Sequence, residues 1–293
     1  MSEEVVMIDV DDLGIDMANV RGGEWSYNEE FVQDIKENKV NEPLIVRPAA
    51  PSSGAKYAIV CGSRRFNAAI EAGLTEVPCI IRKMDDVTAM GRSIAENFYK
   101  ESAPAWRYAL KIGQMYKLLN HEGKKEEVVQ ILMAKTGFSR TSVLNYLDIA
   151  GLPGKIIELM KEPEKRSETV KELLKGMSMI DTGKVLSVEK AVKIARELKD
   201  LSFQKMFEVA SYVIHLTKET AFEIIERVRS YPKMSMEKLH DMVLKIPKGV
   251  RWSFYFGSNI VRALDEACIR KNMDRKRLVE HYVEDGLRRD GFL

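Results

Sequence analysis

The sequence predicts an α+β N-terminal domain (residues 1–100), an all-α middle domain (101–245) and a C-terminal strand–helix–helix module (249–293). Three observations carry this expectation. Up to about residue 100, short apolar runs of strand length alternate with segments patterned for helix. From Asp86 to Leu244, alanine, leucine, lysine and glutamate recur at helical spacing with few turn signals. After Gly249 an alternating aromatic stretch returns, followed by two further helix patterns. A chain of 293 residues is long enough for more than one domain, at about 150 residues each.

Within the first domain, Val5–Val10 alternates like a short strand and Tyr27–Glu37 has amphipathic helical spacing. Pro43–Pro48 (PLIVRP) and Tyr57–Cys61 (YAIVC) are strand-length apolar runs, and Ala49–Ala55 between them is a turn cluster. Arg64–Ala72 reads as a helix ended by Gly73, after which Val77–Arg82 returns as a strand. The middle helices break near Pro104, Gly123, Gly137, Gly151–Gly154, Pro163 and Pro232. Lys161–Arg166 (KEPEKR) reads as the best internal linker and Lys245–Gly249 as the next. Met160, Met177, Met206, Met234 and Met242 read as core filler. In the last module Arg251–Phe256 is the strand, Ser258 caps a helix to about Lys271, and Asp274 caps another to Arg288.

Composition excludes several classes of protein. Charged residues are 31% and hydrophobic residues 45%, which suits a folded, soluble chain with wide solvated helix faces. No apolar run approaches the ~20 residues of a membrane span, and the acidic start lacks the pattern of a secretory signal, so a cytoplasmic protein without a membrane partner is expected. Three widely spaced cysteines without a CxxC pair argue against a disulfide framework or a cysteine zinc site. The net charge of +2 is uneven: residues 1–30 hold nine acids and one base, so the remainder is basic enough for a polyanion partner.

Gly62 stands where a strand ends and a helix begins, followed by Ser63, Arg64 and Arg65. Free N–H groups at a helix N-terminus favour an anion, glycine admits it closely, and arginine matches phosphate oxygens bidentately. A surface turn with two solvated arginines is the alternative. Further on, Glu126–Ala134, Gly137 and the segment capped by Ser139 read as a helix-turn-helix. Val143, Leu144 and Leu147 face inward there, while Arg140, Thr141, Ser142, Asn145 and Tyr146 are polar groups able to reach phosphates or base edges. An ordinary helical hairpin is the alternative.

The C-terminal module resembles a ribbon-helix-helix unit, whose strand pairs with that of a second copy, so a homodimer is expected. Trp252, Phe254 and Phe256 share one face of the strand, and Arg251, Ser253 and Tyr255 the other, where a major-groove ribbon would read bases. Ile260, Val261, Leu264, Cys268, Leu278, Val279, Tyr282 and Val283 form its expected core, and Arg275 and Lys276 could take a phosphate. Dimerisation without DNA contact is the alternative.

The order of several stretches identifies a wider likeness. Asn19-Val20-Arg21, Pro43-Leu44-Ile45-Val46-Arg47, Tyr57 to Ala69 around Gly62-Ser63-Arg64-Arg65, Glu96-Asn97-Phe98-Tyr99-Lys100 and Ala103-Pro104-Ala105-Trp106 together resemble the ParB family of DNA-partition proteins, with its ParB/sulfiredoxin-like N-terminal domain. The resemblance covers residues 5–155 well and the later helices loosely. It implies that Gly62, Ser63, Arg64 and Arg65 cradle the triphosphate of CTP, with Glu96 and Asn97 serving Mg²⁺ as well as the nucleotide. It further implies a dimeric clamp on double-stranded DNA, for chromosome or plasmid partition, and a ParA-like ATPase partner.

Two positions depart from the family pattern. Ser63 stands where glutamate is usual and Lys100 where arginine is usual. The first removes an acid near the phosphates, which leaves CTP hydrolysis open; the second keeps charge but loses the fork geometry. Cys61 precedes Gly62, whereas the sulfiredoxin cysteine follows the glycine, so Cys61 is expected in the core. A nucleotide-independent transcription regulator and a ParB-fold enzyme of kinase or nuclease type are the competing readings.

Overall fold

The computed structural model describes residues 4–22, 29–100, 103–120, 124–175, 183–244, 258–271 and 274–290. Met1–Leu244 make up one compact unit and Lys245–Leu293 a second.

The first unit begins with strands β1 (Val6–Asp9) and β2 (Leu13–Ile15), helix α1 (Glu29–Asn38), β3 (Leu44–Pro48), β4 (Tyr57–Cys61), α2 (Ser63–Glu71) and β5 (Glu76–Ile81). The sheet order is β1-β5-β3-β4-β2. β1–β5 and β3–β4 pair antiparallel, whereas β3–β5 and β2–β4 pair parallel. Ile59, Val60 and Cys61 are all buried, which is why the end of β4 reads as a continuous apolar run, whereas in β3 Leu44 and Val46 are buried and Ile45 between them is partly so. At the edge β1 does alternate, with Ile8 inward and Met7 exposed. The predicted strand over Val5–Val10 stops at Asp9, whose carboxylate accepts the Asp11 N–H (2.9 Å) in a short 3-10 turn. β2 follows that turn and was not expected; three residues are too few to show a period.

Helices α3 (Asp86–Tyr99), α4 (Ala105–Leu119), α5 (Lys125–Thr136) and α6 (Arg140–Ala150) pack on the sheet's end. Their shared core joins Ala18, Val20, Val60 and Cys61 to Ile94, Ile112, Met115, Leu132, Phe138 and Val143. The strand-rich region is thus buried against the first helices. Arg47 on β3 adds a polar tie, donating to Asp16 at 2.5 and 3.0 Å and pairing with Asp86 at 2.7 Å. The Asp16 bond chiefly raises the Arg47 pKa, which keeps the charge fixed there.

Helices α7 (Gly154–Ile157), α8 (Glu168–Lys175), α9 (Val188–Glu197), α10 (Phe203–Val213), α11 (Lys218–Ser230) and α12 (Met236–Leu244) build a further core with Ile149 of α6. Lys161–Arg166 is not a free linker here. Arg166 is buried and donates to the carbonyls of Lys161 (3.2 Å), Leu159 (3.4 Å) and Lys184 (2.5 Å), so the segment is stitched into the unit. Lys190 likewise satisfies the carbonyls of Val213, Ile214 and Leu216 at the end of α10. Met160 and Met206 are core residues as expected, while Met177 lies outside the described residues.

The second unit contains α13 (Ser258–Lys271) and α14 (Arg275–Arg289). Asp274 caps α14 by accepting the Arg277 N–H (3.0 Å), as its sequence position predicts. Of the expected core only Leu278 is buried; Ile260, Val261, Tyr282 and Val283 are exposed on the single chain. The expected strand Arg251–Phe256, with Trp252, Phe254 and Phe256, lies outside the described residues. Among the described residues, no helix is long and apolar enough to cross a membrane.

Candidate nucleotide site and DNA-facing helices

The turn from β4 into α2 is set by Gly62. Its φ of 94° lies in the left-handed region, and a Cβ there would meet Leu44 Cδ2 at 2.6 Å. Only glycine satisfies both demands without displacing the Leu44 side chain. No side chain caps α2. The first bond back to the turn is Phe66 N–H to the Gly62 carbonyl (3.1 Å), so the N–H groups of Ser63, Arg64 and Arg65 precede any intrahelical partner.

These residues open onto a cleft of about 210 Å³. Arg21, Arg64, Arg65 and Lys100 supply four cations around it, against the carboxylates of Glu42 and Glu96. Phe31 of α1 closes one side, with the Arg64 guanidinium 4.3 Å above its ring. Excess positive charge at an uncapped helix N-terminus favours an anion in this cleft.

The structure brings Gly62, Ser63, Arg64, Arg65, Glu96 and Asn97 together, but it gives them unequal freedom. Ser63 is buried and its hydroxyl accepts from Asn19 Nδ2 (3.0 Å). Arg65 donates to the carbonyls of Glu42 and Pro43 (the latter at 3.1 Å) and pairs with Glu42 (3.2 Å) and Glu96 (3.7 Å). Glu96 also pairs with Lys100 at 3.1 Å. Asn97 is buried, donating to the Ser93 carbonyl (2.7 Å) and accepting from Arg21 Nε (2.6 Å). Burial chiefly lowers the Arg21 pKa, opposed by Glu96. Cys61 sits in the core, as expected, and burial reinforced by Glu96 pushes its thiol pKa far up, so it stays protonated rather than serving as a nucleophile.

Reasoning on individual residues missed Arg21, Phe31, Glu42 and Lys100 as cleft walls. Arg21 and Lys100 stand inside the quoted family stretches, so a signal was there. Phe31 and Glu42 carry none, because only the packing of α1 and the entry to β3 bring them to Gly62. Among the described residues, no cluster of three or more His, Cys, Asp or Glu could hold a metal by itself.

The second candidate surface is α5, the turn through Gly137 and α6. Gly137 ends α5 at φ 76°, and Ser139 Oγ accepts the Ser142 N–H (3.1 Å) to start α6. Arg140 and Thr141 are exposed, and Arg140 is held by Glu126 through two bonds of 3.0 Å. Ser142 Oγ lies 2.9 Å from Ser139 Oγ. Asn145 Oδ1 accepts from Arg196 Nη2 of α9 (2.8 Å), while Arg196 Nε pairs with Asp148 at 2.6 Å. Tyr146 departs from its expected surface role. It packs against Phe138 and Tyr108, at ring distances of 5.1 and 6.0 Å, because its ring completes the aromatic cluster under the turn. In the second unit, Arg275 is paired with Asp265 (2.6 Å), and Arg251, Ser253 and Tyr255 lie outside the described residues.

Parts of the chain are similar to known proteins. Residues 1–98 match the ParB N-terminal domain family. The Chromosome-partitioning protein Spo0J of Thermus thermophilus is 32% identical over 166 residues, covering 51% of this chain and 58% of that protein. Two crystal structures of C-terminally truncated ParB from Caulobacter crescentus are also similar. The one complexed to the centromeric parS site has 19% identity, covers 82% of this chain and 99% of that chain, and has a TM-score of 0.40. The one complexed with CTP-gamma-S has 23% identity, covers 72% and 99%, and has a TM-score of 0.29. The chain spans 58% and 60% of the length of two curated relatives it matches, and about two fifths of several others.

Proposed function

We propose, from the premise that the chain belongs to the ParB family, that it is a CTP-dependent, dimeric DNA clamp acting in chromosome partition. The observation that carries the reading is the cleft at the start of α2, where four cations surround an uncapped helix N-terminus. In this reading Gly62 lets phosphate oxygens reach the backbone N–H groups, and Ser63 contributes its N–H rather than its hydroxyl. Arg64 and Arg65 supply the planar donors. Arg65 must exchange its present partners for phosphate, so ligand binding releases Glu42 and Pro43 and is felt at the entry to β3.

Magnesium, when bound, neutralises phosphate charge and shares phosphate oxygens. Glu96 offers a carboxylate of the right chemistry. Asn97 offers an amide oxygen of suitable chemistry, which here accepts from Arg21 Nε.

DNA falls to the middle domain (101–245), with α5 and α6 acting as a helix-turn-helix. Arg140, Thr141 and Ser142 stand at the start of the reading helix, and Asn145 reads a base edge on leaving Arg196. The module at 249–293 pairs two copies as a ribbon-helix-helix unit, presenting Arg251, Ser253 and Tyr255 to DNA. A ParA-like ATPase moves the loaded dimer. The N-terminal domain (1–100) holds the nucleotide, and the place of work is the cytoplasmic nucleoid.

Calorimetric titration of CTP and Mg²⁺, with duplex DNA present, tests the reading. Arg64→Ala, at an exposed position, weakens CTP binding by about tenfold or more while leaving the unfolding midpoint unchanged. Absence of CTP binding by the wild-type chain would overturn the clamp and leave a static DNA-binding adaptor.

A further inference from the structure

We propose that a second basic cleft, formed by Arg82, Lys83, Arg92 and Lys135, grips the phosphate backbone of duplex DNA beside α6. The proposal rests on the DNA-binding reading above and adds a phosphate-positioning surface to it. The cleft measures about 570 Å³ and is separate from the nucleotide site in every lining residue. Its cations come from three places in the chain: the segment after β5, helix α3 and the last turn of α5.

The charge balance favours an anion. No carboxylate and no aromatic ring is among the described residues that line the cleft. Of the acids next to it in sequence, Asp85 accepts the Thr88 N–H (2.7 Å) as the cap of α3 and is within electrostatic reach of Lys135, Asp86 is paired with Arg47, and Glu96 lines the other cleft. Arg92 Nε is buried without a hydrogen-bond acceptor. Cations gathered in one cleft repel each other unless an anion lies between them. The lack of an aromatic wall removes any platform for stacking a base, which suits a string of phosphates better than a nucleotide.

Lys135 is held firmly in this cleft. Gly91 of α3 allows the close approach, since a Cβ there would lie 2.8 Å from the Lys135 carbonyl oxygen. Lys135 Nζ then donates to Thr88 Oγ1 (3.0 Å). In a helix-turn-helix the first helix crosses the DNA backbone while the second reads bases. Lys135 lies in the last turn of the first helix and Arg140 starts the second. The intervening chain spans at most ~17 Å, about five base-pair steps. The cleft is therefore within reach of the phosphates that flank a site read by α6.

The test is the salt dependence of duplex binding by the full chain, using sequence-neutral DNA and a site recovered by immunoprecipitation. Lys83→Gln/Lys135→Gln removes two exposed charges; Lys199→Gln/Lys238→Gln removes two exposed charges elsewhere in the same unit. Each phosphate contact contributes about 0.9 to the slope of log affinity against log salt, so the cleft variant loses about 1.8. Between 50 and 200 mM salt its affinity then falls about tenfold less than that of wild type. The loss appears equally on both DNAs, and the control pair keeps the wild-type slope. A cleft variant with the wild-type slope, or a control that loses as much, overturns the proposal while DNA binding itself stands. Failure of the wild-type chain to bind any duplex overturns the DNA-binding reading instead.

Discussion

Two helix N-termini in this molecule meet opposite demands. At α2 the preceding residue is Gly62, which has no side chain to cap the helix, and the cleft beyond the first turn is lined with cations. At α6 the preceding residue is Ser139, whose hydroxyl accepts the Ser142 N–H. The first leaves backbone donors for a ligand; the second satisfies its own donor and leaves recognition to side chains. Capping chemistry thus separates a helix whose backbone donors are open to an anion from one that leaves Arg140 and Thr141 exposed at its start.

The contrast is most exposed to failure at Gly62. Gly62→Ala adds a methyl against Leu44 Cδ2 at a left-handed φ. It is expected to cost about 2–4 kcal/mol in urea unfolding and to abolish nucleotide binding. An unchanged unfolding midpoint would show that the turn can relax and that its geometry is not required.

At the other helix, Ser139→Ala is expected to lower stability by about 1 kcal/mol, and Ser139→Gly by only a few tenths. Nucleotide affinity should not change in either variant. Equal losses for the two substitutions would mean that the hydroxyl does not act as a cap.

The smallest effect sharpens the side-chain half of the comparison. Glu126→Gln frees Arg140 from its exposed ion pair. Duplex affinity, read by fluorescence anisotropy, is expected to rise a few-fold with no detectable change in the unfolding midpoint. Weaker binding would place Glu126 itself at the DNA.

Much of this was legible along the chain because it is local. The runs PLIVRP and YAIVC, the glycine at position 62, and the caps Ser139 and Asp274 each declare themselves within a few residues. β2 was missed because three residues show no period, and its place depends on β4. Lys161–Arg166 looked like a linker because proline and charge usually mark solvent, yet the Arg166 guanidinium is satisfied by carbonyls as far away as Lys184. Tyr146 counted as polar by type, but the aromatic cluster of Phe138 and Tyr108 claims its ring.

The candidate sites divide in the same way. Residue type and order alone showed that an anion-friendly glycine turn precedes two arginines, and the resemblance to the ParB family added Glu96 and Asn97 to them as an expectation. Tertiary structure alone decided which of these groups are free. It ties Ser63 to Asn19, Asn97 to Arg21 and Arg65 to Glu42, and brings Phe31 across the chain to Arg64. It also places Lys135 beside Arg82 and Arg92. The physical reason is range. Propensity, capping and periodicity act over a few residues, whereas hydrogen-bond partners and charge balance depend on groups that meet only when distant segments pack.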